Sequence, residues 1–171
     1  MNDVYVGVYT MVEQVDEDFL QNMFASNGGI LYKNKNLGVE VDSGEPTLAY
    51  YNEMISICNN LSGQAFINAI EKVLDTEACL RFFLVENFIE AKDNPIDVNS
   101  NFYLYRQPET GLLYWIPWDL NYAFFGGTSY PLVHTATINA VYKKMLQTPR
   151  YRQRYLEIAC EMLDYALTEE K

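Results

Sequence analysis

At 171 residues the chain is long enough for one domain with a substantial core, and its hydrophobic fraction of 49% is ordinary for a globular fold. Aromatics reach 15%, through 14 Tyr and 9 Phe, which argues against disorder. The net charge of −11, from 12 basic against 23 acidic residues, disfavours nonspecific binding to nucleic acid or anionic membranes, and no stretch approaches the roughly 20 apolar residues of a membrane span.

The N-terminal MNDVYVGVYTMVEQ has neither a basic region nor an apolar core of the signal-peptide kind, so no signal peptide is expected there. Residues 4–15 alternate and are rich in Val and Tyr, which predicts a strand. Because Met1 leads straight into that strand, sequence upstream is expected to be missing. Asp16-Glu17-Asp18 then place acids where a helix start favours them. Phe19, Leu20, Met23 and Phe24 give that helix an apolar face, and Asn27-Gly28-Gly29 stops it. Residues 29–33 read as a short strand, and the polar stretch 34–47 as an exposed hairpin or loop.

Helical periodicity dominates next. Leu48, Tyr51, Met54, Ile55 and Cys58 predict a helix over 48–60. Ser62 is placed to cap a second, carrying Phe66, Ile67, Ile70 and Val73. Asp75 is placed to cap a third, which runs toward Lys92 and is apolar nearly all round over 78–89, as expected of a helix in mid-core. Beyond residue 127, a helix is predicted over 135–147, and a last one from about Arg150 to Thr168. Basic residues concentrate around Lys143-Lys144 and Arg150 to Arg154; at a helix start they oppose the macrodipole, and a solvated face is favoured there over an anion site. Cys58, Cys79 and Cys160 lack metal-ligand spacing and read as free core thiols. His134 is the only histidine, and no Gly-x-Ser-x-Gly elbow accompanies it, so hydrolase chemistry is set aside.

Between these helices lies DNPIDVNSNFYLYRQPETGLLYWIPWDLNYAFFGG, residues 93–127. Two apolar strands, Phe102–Tyr105 and Leu112–Trp118, flank a turn at Pro108-Glu109-Thr110-Gly111. If they pair, Asp97 and Asn101 at one strand end come close to Asp119 at the other. An acid to accept a hydroxyl proton, with an Asn and a second acid to hold a hard cation, is the minimum set for phosphoryl transfer. On spacing alone, the same residues are at least as well explained as Asx-turns and caps.

The chain resembles the CotH family of spore-coat and surface-associated kinases. The matching stretches are GVYTMVEQVDEDFL (7–20), GGILYK (28–33), LDTEACLRFFLVENFI (74–89), NPIDVNSNFYLYRQPETGLLYWIPWDLNYAFFG (94–126) and QTPRYRQRYLE (147–157), in family order over nearly the whole chain. The resemblance implies an α+β, protein-kinase-like fold over 1–171: a connector or last front-lobe strand at 4–15, and a mostly helical C-lobe over 16–171 with an internal β-hairpin carrying the site. The front lobe would be largely missing. It implies ATP and Mg²⁺ as cofactors and a coat or surface protein as substrate, placing the protein at a spore coat or cell surface. Asp97 would be the catalytic base, with Asp93 its rival; Asn101 and Asp119 would hold metal; Val12, Glu13 and Gln14 would offer backbone groups to adenine. Asn121 stands where the family commonly has a second acid, which would weaken a second metal site. Lys33 follows the connector, so it is read as a surface residue rather than as the phosphate-contacting basic residue.

Two other readings accompany this one. A noncatalytic scaffold with the same fold would suit the Tyr-rich, acidic surface. A carbohydrate-binding module is suggested by Trp115 and Trp118, but alternate strand positions point the two to core roles.

Overall fold

The computed structural model describes residues 12–35, 38–124, 131–134 and 137–165. Helix α1 (Glu17–Phe24) begins at Asp16, whose carboxylate accepts from the backbone N–H groups of Asp18 and Phe19. Strands β1 (Ile30–Lys35) and β2 (Gly38–Ser43) follow, then α2 (Ala49–Asn60), α3 (Gly63–Ile70) and α4 (Thr76–Phe88). Strands β3 (Phe102–Arg106) and β4 (Leu113–Pro117), a 3-10 turn (Leu120–Tyr122), and helices α5 (Ala140–Gln147) and α6 (Pro149–Tyr165) complete the order. No helix among the described residues is long and apolar enough to cross a membrane.

The expected internal hairpin is half of a four-stranded antiparallel sheet in the order β2-β1-β3-β4. The polar 34–47 stretch contributes β2, and β1 pairs with β3 through Ile30↔Arg106 to Lys33↔Tyr103. Both faces of β3 are covered, which is why Phe102, Tyr103, Leu104 and Tyr105 are all buried. One face, with Ile30, Tyr32, Phe102, Leu104 and Trp115, packs into the helical core. The Trp115 ring lies 4.6 Å from Phe102, 5.3 Å from Phe82 and 5.1 Å from Phe83, centroid to centroid. The opposite face, with Leu31, Tyr103, Tyr105 and Ile116, is covered by Val15 and Leu20 on and before α1.

Several boundaries differ from the sequence expectation. Residues 4–11 of the expected strand lie outside the described residues, and 12–15 are irregular. Ser62 sits at the N-cap of α3 without a side-chain bond, whereas Asp75 does cap α4, accepting from Ala78 N–H at 2.8 Å. Helix α4 stops at Phe88 rather than continuing to 92, because Glu90 turns left-handed at φ 52°. Helix α5 starts at Ala140, where Asn139 accepts from Tyr142 N–H at 2.9 Å, not at 135. Cys58 and Cys79 are buried free thiols, but Cys160 is exposed.

The basic start of α6 is largely solvated, as expected, and is also ion-paired. Arg154 pairs with Glu77 at 2.7 Å and Glu161 at 2.6 Å, and Arg150 with Glu71 at 3.0 Å. Those hydrogen bonds from Arg154 hold the Glu77 and Glu161 carboxyls below the ordinary range. The acids are at the end of α3, on α4 and on α6 itself, so the surplus of Glu has a structural use here.

Candidate active site

The loop between α4 and β3 is built by Asn94. Its Oδ1 accepts from the N–H groups of Ile96 and Asp97, both at 2.8 Å, closing an Asx-turn before Pro95 extends the chain. Its Nδ2 donates to the Ala91 carbonyl and to Asp97 Oδ2 at 3.4 Å. Asp97 is further held by His134, whose Nδ1 lies 3.1 Å from Oδ1. Asp93, four residues nearer α4, is exposed. The two carboxylates therefore differ in kind: Asp97 is oriented by two side chains, and Asp93 faces water beside the backbone of the 3-10 turn, where Lys92 N–H bonds the Tyr122 carbonyl at 3.3 Å.

Downstream the loop is fastened from two sides. Asn139 Nδ2 donates to Pro95 O at 3.1 Å and Asn99 Oδ1 at 3.2 Å, and Asn34 Nδ2 donates to Asn99 O at 2.7 Å. The loop thus enters β3 tied to both α5 and β1.

The register of β3 with β4 decides where Asn101 and Asp119 sit. Phe102 faces Pro117, and one step outward Trp118 N–H bonds the Asn101 carbonyl at 3.3 Å. Asn101 and Asp119 therefore flank the last rung of the same hairpin end, as the pairing predicted. Both adopt the left-handed backbone conformation, with φ of 56° and 55°, and so does Asn99 at 51°. That conformation costs a non-glycine residue on the order of 1 kcal/mol, least for Asn and Asp. Asp119 precedes the 3-10 turn but makes no side-chain capping bond, so its exposed carboxylate is not used for local structure. The turn is stapled to the end of α4, where Phe124 N–H bonds Ile89 O at 2.5 Å. Asn121 lies exposed within it.

A cavity of about 500 Å³ opens beside Asp119. Its walls include Val12 and Glu13 from the segment before α1, Phe19 and Phe24 from α1, Ile116 from β4 and Trp118 just past it. Two of the three expected connector residues thus share one cavity with Asp119; Gln14 does not line it. Asp97 and Asp93 do not line it either. Trp115 belongs to the core, as expected, whereas Trp118 packs edge-on against Tyr103 at 5.4 Å and forms part of the cavity wall.

Among the described residues, no group of three or more His, Cys, Asp or Glu side chains is placed to hold a metal by itself. One carboxylate with one carboxamide suits Mg²⁺, which keeps waters and completes its shell with phosphate oxygens instead of a full protein cage. The residues present fit that ion in company with a phosphate ligand.

Sequence reasoning missed Asn94, Asn139 and His134. The Asn94-Pro95 pair is a legible turn signal. Nothing local in the sequence links Asn139 or His134 to a loop some 40 residues earlier.

A family model described as CotH kinase protein matches residues 1–171. The chain is similar to the inner spore coat protein H of Bacillus subtilis (strain 168), with 30% identity over 139 residues, covering 70% of this chain and 38% of that protein. The chain thus spans well under half the length of this relative. Matched along its whole length, the chain belongs to the CotH kinase protein family.

Proposed function

We propose that this chain is the nucleotide- and metal-binding part of a CotH-type, kinase-like phosphotransferase that transfers phosphate from ATP to Ser or Thr hydroxyls of coat or surface proteins. The observation that carries the reading is the shared cavity: connector residues Val12 and Glu13, aromatic side chains and Asp119 line one cleft. An apolar cleft that ends at a carboxylate suits a purine whose phosphates reach toward a cation. Asp119 and Asn101 would hold Mg²⁺, which when bound supplies charge neutralisation to the phosphates. The left-handed backbone at both residues keeps their side chains at the hairpin end. Asp97, aligned by His134 and Asn94, accepts the hydroxyl proton; Asp93 is the rival carboxylate in the same loop. The relative's name places it in the inner spore coat, and a coat location is the corresponding reading here.

Phosphate transfer to a Ser-bearing coat protein, measured with full-length wild type and Asp119→Ala, tests the proposal. Losing the carboxylate is expected to lower transfer by about a hundredfold or more, the scale of an electrostatic stabiliser; equal rates would sink it. Asp97→Asn and Asp93→Asn run in parallel assign the base, since only loss of the true base abolishes transfer with nucleotide affinity intact.

One observation favours a noncatalytic coat scaffold as the second reading. Asn121 stands where a second acid would raise the site's charge. Calorimetry of ATP with and without Mg²⁺ separates the two, because a scaffold gives no Mg²⁺-dependent heat.

A further inference from the structure

Sequence order sets Lys33 aside as a surface residue, but the sheet register returns it to the site. Lys33 pairs with Tyr103 across β1 and β3, on the face that carries Leu31, Tyr105 and Ile116. Its Nζ stands 4.9 Å from the Tyr103 ring centroid and 5.6 Å from that of Trp118. Trp118 is a wall of the 500 Å³ cavity and is bonded directly to Asp119. The next residue of β1, Asn34, holds the Asn99 carbonyl at 2.7 Å, so this end of the strand is anchored to the loop that delivers Asn101. Strand register, two ring contacts and the Asn34 bond thus fix the ammonium against Trp118, a residue of the cleft wall.

We propose that Lys33 is an anion-binding residue of this cleft, its ammonium contacting the phosphates of a nucleotide seated against Trp118. The inference rests on the nucleotide reading of the cavity. Charge is the reason a cation is needed there. The whole chain carries −11, and Glu13 and Asp119 add two carboxylates to the cavity wall. A polyphosphate would meet repulsion from both without cations to offset it. The two rings attract the ammonium by cation–π contact, and an ammonium also has three hydrogen-bond donors. The competing account is structural. Glu40 faces Lys33 across β1 and β2, so the lysine would serve only as a cross-strand and ring partner.

Calorimetric titration of full-length protein with ATP, ADP, AMP and adenosine in Mg²⁺ separates these accounts, using wild type, Lys33→Met, Lys33→Arg and Glu40→Gln. Thermal unfolding without ligand runs alongside. Lys33→Met is expected to weaken ATP by about tenfold, as for a lost charge-assisted bond, and adenosine by less than about twofold. Lys33→Arg keeps most of the ATP affinity, and Glu40→Gln does not weaken it. Equal weakening of all four ligands, no weakening at all, or a Glu40→Gln variant that reproduces the Lys33→Met loss would overturn the assignment. If Lys33→Met melts earlier than wild type, the retained ATP affinity of Lys33→Arg and the phosphate-number dependence still decide. Wild type that binds none of the four would instead remove the nucleotide reading beneath it.

Discussion

Glu86 is 2% exposed on α4, its Oε1 has no hydrogen-bond partner, and burial pushes its carboxyl from the ordinary 4.5 up to about 7. In the unfolded chain this group loses its proton near 4.5; in the folded protein it keeps it until about pH 7. The unfolded state therefore binds fewer protons across that window, so this group's contribution to stability is greatest below 4.5 and is lost as pH rises through 7. Each tenfold displacement of the proton equilibrium corresponds to about 1.4 kcal/mol, which makes the full loss about 3 kcal/mol by pH 8. Roughly 2.5 kcal/mol of it falls between pH 5 and pH 8. Glu86→Gln keeps the shape and cannot ionise, though its amide still carries the cost of a buried polar group at every pH. Relative to wild type, the variant should therefore gain about 2 kcal/mol or more from pH 5 to pH 8. Urea unfolding of both proteins at pH 5, 6, 7 and 8 measures that difference. Curves that run parallel within about 0.5 kcal/mol would refute the reasoning, because a carboxyl already solvated or paired would show no such divergence.

Asn87 donates to Tyr155 Oη at 2.7 Å, Tyr142 Oη at 3.1 Å and Leu132 O at 3.2 Å, joining α4, α5 and α6. Asn87→Ala takes one partner from each of two buried hydroxyls, which keep Leu132 O and His134 N–H respectively, and should lower unfolding free energy by about 1–3 kcal/mol, read by urea denaturation. Asp119→Gly removes the left-handed strain along with the carboxylate, so the melting temperature should hold within a few degrees while Mg²⁺-dependent nucleotide binding disappears. Glu77→Gln breaks the α4–α6 pair with Arg154 and the pair with Arg81 inside α4. Because Glu77 is 44% exposed, the expected loss is about 1 kcal/mol, and 1 M salt should erase most of it. The depressed Glu77 carboxyl makes the contribution of these pairs present at neutral pH and lost as pH falls through the carboxylate range.

Much of the helical portion was legible because local rules governed it. Asp16 and Asp75 carry their helix starts in their own side chains, and the apolar spacing of 49–88 survives in α2, α3 and α4. The hairpin was legible for the same reason: the turn at 108–111 lies between two runs that can pair only with each other at that range. Boundaries were less so. Glu90 ends α4 through its backbone conformation, in a residue type with no preference for that region.

The sequence by itself determined that Asn101 and Asp119 end the same hairpin, since strand pairing at short separation leaves one sensible register. It also carried the family. Only the tertiary structure decided what surrounds them. The pairing of β1 with β3 crosses about 70 residues, and no local pattern marks it. That pairing buries both faces of β3, brings Lys33 over Tyr103 and Trp118, and ties Asn34 to Asn99. The contact of His134 with Asp97, likewise long-range, turned a residue set aside from the sequence into one of the two that orient the loop's carboxylate. Local preference acts over a few residues, whereas these contacts exist only once both faces of the sheet have found their covers.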